Sequence, residues 1–321
     1  MAVLPDGDES KKILDGELKK NEDHKRWKII KLLGSGGFGD VYKVTKVGGD
    51  KEYAMKTEMV IGDKRMLRLK IEVAVLMLCH EQLNPLRKKH FVDFVDRGKT
   101  EKFKFLVMGL VGPSLEDIRK MFLVRNYNKS TAMQASMQTL QALWDLHETG
   151  DIKPQNFAIG LGEFEKTIYM LDFGIARKFT VGNTKQMKCN ILAFDLFDDE
   201  NGLPWKRAER SKIVDLKEMF FKLQCKHSLS VPKCYRIVPN EFKRIVEYVN
   251  ELHYAEEPDY VYVTDSLKLI SRENKIDLEK KLDWIGKTHK TDREEEFGIS
   301  EFPTQGIPGT AAQSSVTDIH E

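Results

Sequence analysis

The sequence predicts an α+β chain of two lobes, a small strand-rich one followed by a larger helical one. Apolar residues mostly alternate between Trp27 and Gly109, as on strands, and beyond Gly112-Pro113 they recur at three- and four-residue steps, as on helices. Size agrees, since 321 residues bury a substantial core in one large domain or two modest ones. The expected division is a disordered polar arm over 1–26 with room for a short helix, the strand-rich lobe over 27–109, the helical lobe over 110–298, and a disordered tail over 299–321.

In the first lobe, Trp27–Leu33 leads into a glycine cluster, Asp40–Val47 and Glu52–Glu58 alternate, and Gly48-Gly49-Asp50 supplies the turn between them. Leu67, Ile71, Ala74, Val75 and Leu78 fall at helical steps and predict one helix with its apolar stripe there. Strands around Phe91–Gly98 and Lys104–Gly109 complete the lobe. In the second lobe Ser114-x-x-Asp117 opens one helix, and Thr131-x-x-Gln134 resembles the capping box of a longer one running to His147. Further helices are expected at Lys206–Cys225, Asn240–Leu252 and Asp259–Arg272. Two such lobes leave a cleft between them.

Composition excludes several classes. The 52 Lys and Arg nearly cancel the 50 Asp and Glu, and a net charge of +2 provides no dominant cationic face for coating nucleic acid. Clusters such as Lys64-Arg65 and Arg87-Lys88-Lys89 read as solvated faces. The longest apolar run, Val73–Cys79, has seven residues, where a membrane span needs roughly 20. The opening residues are too charged for a secretory signal. Cys79, Cys189, Cys225 and Cys234 show no metal-ligand spacing and read as reduced thiols of a cytoplasmic or nuclear protein.

Three signals carry chemistry. Gly34-Ser35-Gly36-Gly37-Phe38-Gly39 lies between two expected strands. The dinucleotide-binding use of G-x-G-x-x-G needs a helix directly after it, and Asp40–Val47 is strand-like, so that use is excluded. A glycine hairpin instead lets backbone N–H groups close over a triphosphate, because no Cβ holds the chain away. Lys56 stands on the next strand, placed to meet phosphate oxygens beneath that flap, and Glu72 on the following helix can hold it. The strongest signal is Asp151-Ile152-Lys153-Pro154-Gln155-Asn156 with Asp172-Phe173-Gly174 beginning 21 residues after Asp151. Phosphoryl transfer needs positioning and charge neutralisation. An aspartate accepts the hydroxyl proton, a lysine reaches the γ-phosphate, and an asparagine with a second aspartate binds Mg²⁺ through oxygen.

Together these segments resemble the eukaryotic protein kinase set, and Lys153 within D-x-K-x-x-N resembles serine/threonine kinases. Val111-Gly112-Pro113-Ser114-Leu115-Glu116-Asp117, Gly202-Leu203-Pro204-Trp205, Pro258-Asp259-Tyr260 and Asp283-Trp284 resemble the casein kinase 1 superfamily, and within it the tau-tubulin kinase-like branch, over residues 27–287. The resemblance implies a bilobal kinase fold and an enzyme using ATP and Mg²⁺. It implies that Gly34, Gly36 and Gly39 cover the phosphates, that Lys56, held by Glu72, meets them, and that Val41, Ala54 and Ala158 enclose adenine. Met108 would be the gatekeeper, and Gly109 and Val111 would supply hinge backbone bonds. Asp151 and Lys153 would be catalytic, and Asn156 and Asp172 would hold the metal. Implied partners are protein substrates, acidic or already phosphorylated, met by a monomer.

Two departures bear on activity. About four residues before Asp151 are absent relative to the family, which places Gly150 where an arginine usually stands. From Asp172 to Leu203 there are 31 steps, roughly half the family's length for the activation segment, substrate platform and start of a buried helix. The helical lobe is therefore expected to be incomplete and peptide phosphorylation weak or absent. A product of skipped or mispredicted exons and a nucleotide-binding pseudokinase or scaffold both remain open.

Overall fold

The computed structural model describes residues 14, 18, 26–36, 39–60, 68–81, 85–123, 126–146, 156–174, 208–212, 215–216, 239, 241–252 and 258–288. The first lobe is a five-stranded antiparallel sheet of β1 (Trp27–Gly36), β2 (Gly39–Lys46), β3 (Glu52–Met59), β4 (Phe94–Lys99) and β5 (Phe103–Gly109), in the order β1-β2-β3-β5-β4. Gly48, at φ 79°, makes the β2–β3 turn that Gly48-Gly49-Asp50 predicts. Between β3 and β4 come α1 (Arg68–Glu81) and a short α2 (Pro85–Lys88).

The sheet has two packed faces because strand residues alternate. On one, Tyr42, Val44, Met55, Phe105 and Val107 form a core with Trp27 and Ile29. Leu14 and Leu18 are helical, one turn apart, and fully buried in that same core. Disorder therefore does not extend to these two positions of the arm, whose apolar side chains have a sheet face to cover; residues 1–13, 15–17 and 19–25 lie outside the described set. The opposite face, with Ala54, Leu106 and Met108, joins the core of the second lobe.

Helix α1 occupies the expected place but is rotated. Leu69, Glu72, Val73, Val75, Leu76 and Cys79 are buried, whereas Ile71, Ala74 and Leu78 of the expected apolar stripe are exposed. Leu67 lies outside the described residues. The stripe holding Glu72 turns inward because that carboxylate meets a lysine of β3.

The second lobe opens with α3 (Leu115–Asp117), capped reciprocally by Ser114 and Asp117 as expected, and runs on as a π-helical turn over Ile118–Leu123. Helix α4 (Lys129–Leu146) follows. Its cap differs from expectation: the Asn128 Oδ1 accepts from the Thr131 N–H at 2.8 Å, and Thr131 lies inside the helix. Asn128 also donates twice to Asp283, so the cap doubles as the anchor of a distant segment.

A ribbon of β6 (Phe157–Ile159) and β7 (Ile168–Met170) packs on α4. Gln138 of α4 accepts from the Ile168 N–H and donates to the Lys166 carbonyl, each at 3.0 Å. The lobes are joined where the Met170 N–H donates to the His90 carbonyl at 2.9 Å. Helices α5 (Phe242–Glu251) and α6 (Tyr260–Glu273) match their expected places, α6 being capped by Asp259. Of the helix expected at Lys206–Cys225, Arg210–Lys212 is a 3₁₀ turn and most of the remainder lies outside the described residues. Trp284, fully buried, donates its indole N–H to the Glu165 carbonyl at 2.9 Å and closes the lobe.

Candidate active site

Strand β3 carries the central cation. Ala54 faces the shared core, Met55 the opposite face, and Lys56 returns to the Ala54 side at the mouth of the cleft. Its ammonium donates to Glu72 Oε2 at 2.6 Å and to Asp172 Oδ1 at 3.1 Å. Burial alone would depress the Lys56 pKa, but the two carboxylates outweigh it and raise it above the ordinary lysine value. Glu72 is 2% exposed, and burial pushes its pKa up against the opposing pull of Lys56.

Glu72 is in place because α1 is anchored to the same strand. The first turn of α1 contains no acidic residue of its own. Glu58 of β3 supplies one, its Oε1 accepting from the Leu69 N–H at 3.4 Å. Sequence reasoning missed Glu58. The available signal was its spacing of two from Lys56, which puts both side chains on one strand face.

Asp172 reaches Lys56 through an unusual backbone. Its φ is 62°, the left-handed region that asparagine and aspartate tolerate better than most residues. This turn sends Phe173 inward, 1% exposed and 6.1 Å from the Phe91 ring, and leaves the Asp172 carboxylate at the cleft. The Leu171 N–H donates to the Asn156 carbonyl at 2.8 Å, so Asn156 is tied to the residue preceding Asp172. Three expected site residues, Lys56, Glu72 and Asp172, are in direct contact, and Asn156 adjoins them.

The residues expected to enclose adenine also gather. Ala54 and Met108 are cross-strand partners on β3 and β5, both nearly buried, and Val41 packs against their core. Ala158 of β6 is 1% exposed and bridges to Ser114. Beyond β5 the connection is held by Gly112, whose N–H donates to the Ile159 carbonyl at 2.8 Å, with Val111 half-buried beside it. One expected role narrows. Gly109 donates its N–H to the Asp93 carbonyl at 3.0 Å, because the end of β5 is still paired within the sheet, so that donor is committed within the protein.

The glycine hairpin approaches β3 closely. Gly39 has φ 130°, and a Cβ there would stand 1.8 Å from the Thr57 carbonyl oxygen, so glycine is required. Gly36 pairs with Gly39, and Gly34 with Val41. Gly37, Phe38, Asp151, Lys153 and residues 175–207 lie outside the described residues.

The protein kinase domain family matches residues 27–194. The chain belongs to the protein kinase family. Caenorhabditis elegans ZK507.3 is 34% identical to this kinase over 294 residues, covering 84% of this chain and 76% of the relative. The Caenorhabditis elegans serine/threonine-protein kinase spe-6 is 31% identical over 300 residues, covering 83% and 76% respectively. The solved structure of vaccinia related kinase 3 superposes with a TM-score of 0.63 at 15% identity, covering 78% of this chain and 89% of that one, a likeness of fold. By family this kinase is an ATP-dependent serine/threonine protein kinase, a transferase.

The residues present suit the divalent metal that the family uses. Asn156 and Asp172 offer the oxygen donors that a hard cation prefers, the backbone bond at Leu171 holds them together, and the Asp172 side chain is 46% exposed at the cleft. Among the described residues no group of three or more His, Cys, Asp or Glu is placed to hold a metal by itself.

Proposed function

We propose that this kinase transfers the γ-phosphate of Mg-ATP to serine and threonine hydroxyls of acidic or already phosphorylated protein segments, within the tau-tubulin kinase-like branch of the casein kinase 1 superfamily. The observation that carries the reading is the bridging of Glu72 and Asp172 by the Lys56 ammonium. Lys56 neutralises α- and β-phosphate charge, Glu72 and Glu58 hold Lys56 and α1 in register, and Ala54, Val41, Met108 and Ala158 pack the purine. Asn156 and Asp172 hold magnesium, which supplies charge neutralisation on the transferring phosphoryl group. Asp151 takes the hydroxyl proton, and Lys153 steadies the γ-phosphate. No covalent enzyme intermediate is needed, since such catalysis is positioning and electrostatics.

One sequence feature favours a second reading. The 31 steps from Asp172 to Leu203 leave little chain for a peptide platform, so nucleotide binding without efficient peptide phosphorylation is the alternative. Radiolabelled ATP with casein, paired with thermal shift in Mg-ATP, separates the two. Turnover abolished by Asp172→Ala supports transfer, and a thermal shift without turnover supports the binding module. Neither a shift nor turnover refutes both.

A further inference from the structure

The residues above account for the base and back of the cleft but not for what keeps the glycine hairpin in shape. The β1–β2 pairing slips between Leu32 and Gly34, just before the three pairs that close the hairpin, Gly34–Val41, Ser35–Asp40 and Gly36–Gly39. Glycine-rich strands specify register weakly, because few side chains distinguish one alignment from the next. Something beyond the glycines has to hold those last pairs.

Asp40 is built to do so. Alternation along β2 places Val41 against the core that lines the cleft, while Asp40 stands on the opposite face with Tyr42 and Val44. Although ionisable, Asp40 is only 9% exposed. Its two carboxylate oxygens each accept one hydroxyl, Ser35 Oγ at 2.6 Å and Tyr42 Oη at 2.9 Å. Its carbonyl accepts from Thr57 Oγ1 at 3.1 Å, one residue from Lys56. A single residue therefore ties β1, β2 and β3 together just below the hairpin turn. Tyr42 is 1% exposed, so its hydroxyl donates to Asp40 within the packed interior, where a hydrogen bond is shielded from water.

We infer that Asp40 is a positioning residue of the phosphate flap: from the face of the sheet turned away from the cleft, it fixes the spacing of the Gly36 and Gly39 backbone through Ser35 and Tyr42. It touches no nucleotide. The role rests on the nucleotide reading of the cleft and adds to it a prediction about selectivity. A loosened flap weakens ligands that carry phosphates and spares those that end at the ribose.

Calorimetric titration of the full chain with Mg-ATP and, separately, with adenosine tests this. Ser35→Ala, at an exposed strand end that leaves the core intact, is expected to weaken Mg-ATP about tenfold, the scale of one lost charge-assisted hydrogen bond, with adenosine changed less than about twofold. Asp40→Ala should do the same or more, and Asp40→Asn, which still accepts one hydroxyl, should recover part of the loss. Amide exchange across residues 34–39 of the nucleotide-free protein should quicken in Ser35→Ala. Equal weakening of both ligands, or no weakening of Mg-ATP, in folded Ser35→Ala overturns the role. A wild-type chain that binds neither ligand is a distinct result: it overturns the nucleotide reading, and the inference falls with it.

Discussion

The Lys56 ammonium lies 3.1 Å from the carboxylate of Asp172, a residue 116 positions further along the chain. The two come from different lobes, Lys56 from the sheet and Asp172 from the turn after β7. Their contact ties the sheet to the segment that follows β7. Glu72, on the other side of the same ammonium, is nearly inaccessible to water.

Removing the cation should therefore be costly twice over. Lys56→Met abolishes Mg-ATP binding and leaves Glu72 buried without its partner, lowering stability by about 3 kcal/mol. Lys56→Met combined with Glu72→Leu should restore at least half of that stability, because no uncompensated charge remains, while ATP binding stays lost. Thermal unfolding of both variants decides it. Equal midpoints would show that burial of Glu72 carries no penalty.

Asp172→Asn should fold normally, since asparagine accepts the same left-handed backbone as aspartate. Turnover should nonetheless fall roughly 10²–10³-fold, the usual loss when one group facing developing charge is removed. Phosphate transfer to casein at saturating Mg-ATP measures it. Undiminished turnover would place the metal-facing charge elsewhere.

The glycines of the hairpin should not be equivalent in stability. Gly39→Ala drives a Cβ into the Thr57 carbonyl and forces an L-residue to φ 130°, whereas a Cβ at Gly34 meets nothing within 4 Å. We expect Gly39→Ala to lose about 2 kcal/mol or more and Gly34→Ala to stay within about 1 kcal/mol of wild type in urea unfolding. The reverse order would contradict the close approach of the hairpin to β3.

His90 gives the folded state an acid limit. The ring is 2% exposed and its Nδ1 donates to the Ile168 carbonyl at 2.8 Å. Burial lowers its pKa, partly offset by that carbonyl; Lys89 lowers it further and Asp145 raises it. The unfolded chain takes up the proton near about pH 6.5 and the folded chain only below that, so stability from the neutral ring is complete above that pH and is lost as pH falls. Unfolding midpoints between about pH 7.5 and 5.5 should drop for wild type and drop less for His90→Gln.

Much of this was legible in residue order. The five strands of the first lobe, the helices at Arg68–Glu81, Lys129–Leu146, Phe242–Glu251 and Tyr260–Glu273, and the pairing of Lys56 with Glu72 follow from periodicity and from the chemistry that phosphates require, whereas the short ribbon of β6 and β7 was not foreseen. These features are local, or belong to motifs whose spacing the chain states outright. The true apolar face of α1 was not legible, because burying Glu72 beside Lys56 overrides the stripe through Ile71 and Leu78. Nor was the cap of α4, since Asn128 is chosen by its bond to Asp283, 155 residues away.

Sequence alone thus determined the two-lobe class, the charged side chains that meet at Lys56 and the shortened stretch after Asp172. Tertiary structure decided which helix face turns inward, that Leu14 and Leu18 seal the outer sheet, that the Gly109 N–H is already committed, and that Asp40 clasps the flap. The division has one physical cause. Propensity and motif chemistry act between residues near in sequence, whereas burial and hydrogen-bond satisfaction are settled only when distant segments exclude water from one another.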